Sequence, residues 1–151
     1  MKIDFKNLKF GWINLKIEHN FALIIDSEFS YIYNGLEDLL DSLYQLSIAS
    51  SIETEVIFLG EPFAYKLFFS KRKDIIQFKI YFIKSYLGNN KSGELIYEKI
   101  GNFKEICIPF WRGLRKIQSK YTQEEFNKLW QTEFSYEKLD NLSKIIKTVK
   151  V

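Results

Sequence analysis

Residues 52–87 constrain this chain more than any other stretch, because three apolar or aromatic segments follow one another there with only short interruptions. The segments cover residues 55–59, 63–70 and 75–87, and the breaks are Gly60-Glu61-Pro62 and Lys71-Arg72-Lys73-Asp74. β-branched and aromatic side chains fill the segments, while turn formers and charge fill the breaks, which predicts an antiparallel β-meander. A sheet with one apolar face needs a second layer against it. Helical periodicity elsewhere in the chain supplies one.

Upstream, residues 9–18 alternate Ile13, Leu15 and Ile17 with Asn14, Lys16 and Glu18, the pattern of a strand with one wet face. His19-Asn20 is read as a tight connection, residues 21–25 as a returning strand and Asp26-Ser27-Glu28 as loop. Residues 29–33 either extend the sheet edge or lead into a helix. That helix starts at Asn34, with Glu37 at capping-box spacing and Leu36, Leu39, Leu40, Leu43 and Leu46 along one face.

Downstream of the meander, Gly88 to Gly93 reads as the turn of another hairpin leading into a short strand over residues 94–100. Asn102 with Glu105 opens a second helix, which Pro109 kinks or splits by removing a backbone donor. Thr122 with Glu125 opens a third over residues 123–131. Ser135 caps a last one, striped by Leu139, Leu142, Ile145 and Ile146. The expectation is a single α+β domain over residues 1–151. Its antiparallel sheet has about five strands, packed against one helix from the N-terminal half and two to three C-terminal helices.

The residues that carry common chemistries are sparse. One histidine, His19, falls at the expected hairpin turn, where an exposed structural role is the simpler reading. One cysteine, Cys107, excludes an intrachain disulfide and a multi-thiolate metal site, and its helical setting suits a small apolar filler. Seven glycines are scattered without a phosphate-loop spacing. Glu61 with Glu53 or Glu55 is the only carboxylate pairing worth naming for acid–base work. The sequence therefore predicts a non-enzymatic protein with no cofactor and no metal. The N-terminus lacks a signal-peptide pattern and no stretch reaches membrane-spanning length, which predicts a cytoplasmic protein.

The net charge of +3 conceals a strong asymmetry. Residues 1–61 carry 4 Lys/Arg against 10 Asp/Glu (−6), and residues 62–151 carry 18 against 9 (+9). Such separation steers a charged partner. The candidate protein-binding set is therefore Asp26, Glu28, Tyr31, Tyr33, Glu37, Asp38, Asp41, Glu53, Glu55 and Glu61, in which tyrosines anchor and carboxylates attract a basic surface. The alternative is a nucleic-acid accessory role. There Lys71, Arg72 and Lys73 on one hairpin and Arg112, Arg115 and Lys116 on a helix contact phosphates.

Gly11 with its strand, the Leu36 to Leu46 helix, then Phe58-x-x-Glu61-Pro62-x-x-Tyr65 and two further strands resemble a group of small bacterial proteins. Some of these are immunity proteins of polymorphic or contact-dependent toxin systems. The likeness covers roughly residues 10–85 and, more loosely, the helical tail. Phe58 stands where a tryptophan-like residue is expected, and Phe63-Ala64 replaces a more polar connection. The resemblance implies an inhibitor that binds a cognate toxin domain and blocks its active site or its access to a target. Immunity proteins that face nucleases are often acidic, so here such a partner would have to meet the acidic N-terminal half.

Overall fold

The computed structural model describes residues 1–86, 88 and 92–149. Three strands come first: β1 (Lys2–Lys9), β2 (Trp12–His19) and β3 (Ala22–Ser30), paired antiparallel in the order β1-β2-β3. Helix α1 (Gly35–Ile48) leads to a second antiparallel sheet, β4 (Ser51–Leu59), β5 (Ala64–Arg72), β6 (Ile75–Ile83) and β7 (Glu94–Gly101), in sequence order. The chain then continues through α2 (Phe103–Ile106), α3 (Ile108–Lys120), α4 (Gln123–Trp130) and α5 (Tyr136–Val149).

The α+β class and the meander are as the sequence predicts, and the hairpin between β6 and β7 is also present. The connector residues Asn89, Asn90 and Lys91, and Leu87 at the end of the third predicted segment, lie outside the described residues. Three readings are corrected. The strands number seven among the described residues, in two sheets, rather than about five in one. The first strand begins at Lys2, where Lys2-Ile3-Asp4-Phe5-Lys6 already alternates: Ile3 faces Ile17 and Phe5 faces Leu15 across the ladder. Asp26-Ser27-Glu28 is strand, not loop. Asp26 and Glu28 sit on the wet face opposite Lys16 and Asn14, and Ser27 pairs with Leu15 on the dry one.

Both sheets turn an apolar face inward. Phe29 of β3 packs its ring against Phe58 at 5.4 Å and Tyr65 at 5.8 Å in the second sheet. Phe110 of α3 meets Phe69 at 5.9 Å and Phe78 at 5.6 Å on that same sheet. Helix α1 lies on β4, where the hydroxyls of Ser42 and Thr54 share a hydrogen bond. Helix α3 lies along β1, and Gly113 allows the approach, since a Cβ there would sit 3.2 Å from the Phe5 ring.

The helix boundaries follow their caps. Asn102 with Glu105 and Thr122 with Glu125 form closed capping boxes. Pro109 falls in the first turn of α3, where its missing N–H costs nothing, so the predicted long helix is split at Cys107 into α2 and α3. At α1 the Asn34 side chain accepts from the Glu37 amide at 3.3 Å, but Glu37 does not reach back to Asn34. Its carboxylate is turned to α5 instead.

Candidate protein-binding surface

One end of the molecule gathers three connections, and hydrogen bonds tie them to their neighbours. Phe10-Gly11 joins β1 to β2, with φ of 52° and 77° at the two residues. Both are in the left-handed region, as a two-residue hairpin turn between right-twisted strands requires. Gly11 fits because of its size as well as its φ, since a Cβ there would lie 2.5 Å from the Tyr31 ring. Its amide donates to the Leu129 carbonyl of α4 at 2.8 Å, and its carbonyl accepts from the Tyr31 amide at 2.8 Å. Just beyond, the Asn34 side chain accepts from Trp130 Nε1 at 3.1 Å and donates to the Glu133 carbonyl at 2.6 Å.

The side chains on this frame are apolar and wet. Phe10 is 77% exposed, Ile32 59%, and Tyr31 and Tyr33 38% each. Tyr33 continues the patch onto the turn that follows β6 through its ring contact with Tyr86 at 5.4 Å. The Tyr86 amide in turn donates to the Pro62 carbonyl at 2.7 Å, in the turn that joins β4 to β5 and carries exposed Glu61. Isolated exposed apolar side chains are ordinary, whereas several adjacent ones on a braced surface mark a contact site. Phe10 also adopts a backbone conformation that bulky residues rarely take, at a cost of order 1 kcal/mol.

The candidate acidic set is not one surface. Tyr31, Tyr33 and Glu61 come together at this end. Asp26 and Glu28 lie on the wet face of the first sheet. Glu53 and Glu55 lie on β4, where Glu53 accepts from Ser70 Oγ at 3.4 Å and Glu55 is 4.0 Å from Lys66. About 13 Å of strand and the turn beyond it separate Glu55 from Glu61, too far for a shared proton-transfer site. Glu37 and Asp41 both take Lys138 of α5, at 2.7 and 3.2 Å, and Glu37 also accepts from the Ser135 amide at 3.1 Å. Those two carboxylates hold helices together. Asp38 remains exposed, its carboxyl held above the ordinary range by partial burial and by the neighbouring Asp41 and Glu37 charges.

The basic set is dispersed too. Lys71 points to the inner side and donates to the Leu46 carbonyl in the last turn of α1 at 2.6 Å. Arg115 lies over the Trp111 ring at 5.8 Å and donates to Ser143 Oγ at 3.3 Å, and Lys116 pairs with Asp4 at 3.3 Å. Arg72, Lys73 and Arg112 stay exposed. His19 is half-buried rather than an open turn residue. Its Nδ1 meets the Tyr97 hydroxyl of β7 at 2.6 Å, and the turn proper is Asn20-Phe21. Cys107 is fully buried, and burial pushes its thiol well above the ordinary range.

Phe10 and Ile32 were absent from the sequence-derived set. A signal was present in each case: a large apolar residue beside a turn glycine, and an isoleucine between two tyrosines just ahead of a helix cap. Among the described residues no group of three or more His, Cys, Asp or Glu is placed to hold a metal ion, and no helix is long and apolar enough to cross a membrane. No family model matches this chain, nor is any curated protein or solved structure significantly similar to it.

Proposed function

We propose that this protein is a non-enzymatic binding module of the immunity type, which neutralises a cognate bacterial toxin domain by covering it with the loop end of the fold. The observation that carries the reading is the braced patch of Phe10, Tyr31, Ile32 and Tyr33. Aromatic side chains carry few rotatable bonds and bury much apolar area on binding, the profile of interface anchors, and here they stand on a hydrogen-bonded backbone. Glu61 and the tyrosine hydroxyls supply the polar rim that such a patch needs. The resemblance of the Phe58 to Tyr65 segment to immunity proteins supports the same role, because Glu61-Pro62 forms part of this end.

The test uses the full chain as bait in the cell that makes it, beside an Ile32→Asp/Tyr33→Ala variant of unchanged fold by circular dichroism. The wild-type chain is expected to retain a protein with a domain that arrests growth when produced alone and is harmless when co-produced with the wild type. Each anchor is expected to contribute about 2 kcal/mol, so the double variant should bind roughly a thousandfold more weakly and fail to protect. Full protection by the double variant would exclude the loop end. A retained partner with no growth-arresting domain would exclude the immunity role and leave a general binding module.

A further inference from the structure

The packing of α3 beside β1 brings together cations from distant parts of the chain. Along the wet face of β1, Lys2, Lys6 and Lys9 stand opposite Glu18, Asn14 and Trp12 of β2, with Asp4 between the first two. Helix α3 lies beside this strand, its Gly113 against Ile3 and the Phe5 ring on the dry face. On the flank of α3 next to β1, Arg112, Lys116 and Lys120 recur every four residues, about 6 Å apart along the axis. The Lys116 ammonium reaches the Asp4 carboxylate at 3.3 Å, so the helical row and the wet face of β1 form one surface.

Few carboxylates interrupt this surface. Asp4 is taken by Lys116, and Glu18 by Lys16 of β2 at 2.9 Å. With Lys16 counted, seven cations stand against those two carboxylates, a local excess of five on a chain whose net charge is +3. Lys2, Lys6, Lys9, Arg112 and Lys120 are exposed and have no ion pair among the described residues. Asp26 and Glu28 lie on β3, at the far edge of the same sheet. Beyond Lys120 come Glu124 and Glu125 of α4, the latter held in its capping box. No large apolar side chain of β1 or α3 is exposed.

We infer that this face binds the phosphate backbone of a nucleic acid without reading its bases. Two rows of exposed cations neutralise successive phosphates, and the counterions released drive the association. The face presents no exposed aromatic platform on which bases stack, so it carries no sequence preference of its own. A protein partner would want an aromatic or apolar anchor at the centre of the contact, and a lipid surface would want apolar side chains to insert. Neither is present on β1 or α3. The loop-end tyrosines take no part, so the inference goes beyond the toxin-binding role and does not depend on it.

The experiment is fluorescence anisotropy of labelled mixed-sequence oligonucleotides, about 20 nucleotides long, single-stranded and duplex, titrated with the full chain at about 25 to 200 mM salt. The expected result is micromolar binding at the lowest salt, indifferent to sequence, that weakens roughly a hundredfold between about 50 and 200 mM. Lys6→Ala/Lys9→Ala/Arg112→Ala/Lys120→Ala removes four cations of the face. It should weaken binding at least about fiftyfold at low salt and flatten the salt dependence. Arg72→Ala/Lys73→Ala/Lys144→Ala/Lys147→Ala removes the same charge elsewhere on the surface and should cost less than about fivefold. All eight positions are exposed, and circular dichroism verifies that both variants are folded. Absence of binding at the lowest salt overturns the inference. Equal losses in the two variants overturn it as well, because net charge alone then accounts for the binding. Vesicles of about 30% phosphatidylserine, or polyglutamate, holding the chain as tightly at the same salt would assign the face to a lipid or a protein instead. The Ile32→Asp/Tyr33→Ala variant should bind oligonucleotide as the wild type does, which keeps a failure of the loop-end reading separate from a failure here.

Discussion

Lys71 shows how one residue's meaning depends on the face it occupies. In the sequence it belongs to a basic triplet at a hairpin tip. In the fold its register opposite Ile52 turns it inward, and its ammonium caps the C-terminal end of α1 through the Leu46 carbonyl at 2.6 Å. A cation there satisfies a carbonyl that the helix leaves unpaired and meets the negative end of its dipole. Lys71→Met keeps the stem and removes the charge, so it is expected to lower unfolding stability by about 1 kcal/mol in urea denaturation. Arg72→Met, one residue on and exposed, should cost less than about 0.5 kcal/mol. Equal effects would exclude the capping role. Nothing in the triplet itself distinguishes the two residues, because strand phase near a turn is set by the register of the neighbouring strand.

Among elements, the meander and the helix caps were the most legible parts of the chain. Both depend on interactions a few residues apart, which is why Asn102 with Glu105 and Thr122 with Glu125 closed as their spacing implied. Asn34 with Glu37 has the same spacing and a different outcome. Glu37 leaves the box to serve α5, 98 residues away at Ser135 and 101 away at Lys138, and no local pattern encodes that choice. Glu37→Ala removes the acceptor of the Ser135 amide and one partner of Lys138, and should lower stability by about 1–2 kcal/mol in urea. Asp41→Ala, whose pair with Lys138 is more exposed, should cost under about 1 kcal/mol. The N-terminal strand was missed for a different reason: Ile3 and Phe5 alternate correctly, but six residues at a chain end carry little weight until β2 is there to pair with them.

The whole molecule is two sheets joined by helices, and His19 is one of the contacts between them. Its imidazole, with the Tyr97 hydroxyl at 2.6 Å, lies where burial, the Lys99 ammonium and the N-terminal ammonium all oppose a positive charge. The imidazole pKa is therefore lower in the folded protein than the ordinary 6.5 of the unfolded chain. The unfolded chain thus takes up the proton first. His19 favours the fold fully above about pH 6.5, and that contribution is lost as pH falls through the folded value. Unfolding free energies measured between pH 7.5 and 5 should decline, and His19→Gln should flatten that segment. An equal slope in the variant would assign it to other groups. By itself the sequence determined the α+β class, the order of the meander, the start of most helices and the scarcity of catalytic side chains. These follow from periodicity, caps and composition, all of which act over a few residues. Tertiary structure alone decided that there are two sheets, that the acidic residues are scattered, and that Lys71 and Glu37 hold the fold together. It also decided that Phe10, Tyr31, Ile32 and Tyr33 share one exposed end. Which face a residue shares depends on strand register and helix packing, and those are settled by burying apolar surface over the whole chain at once.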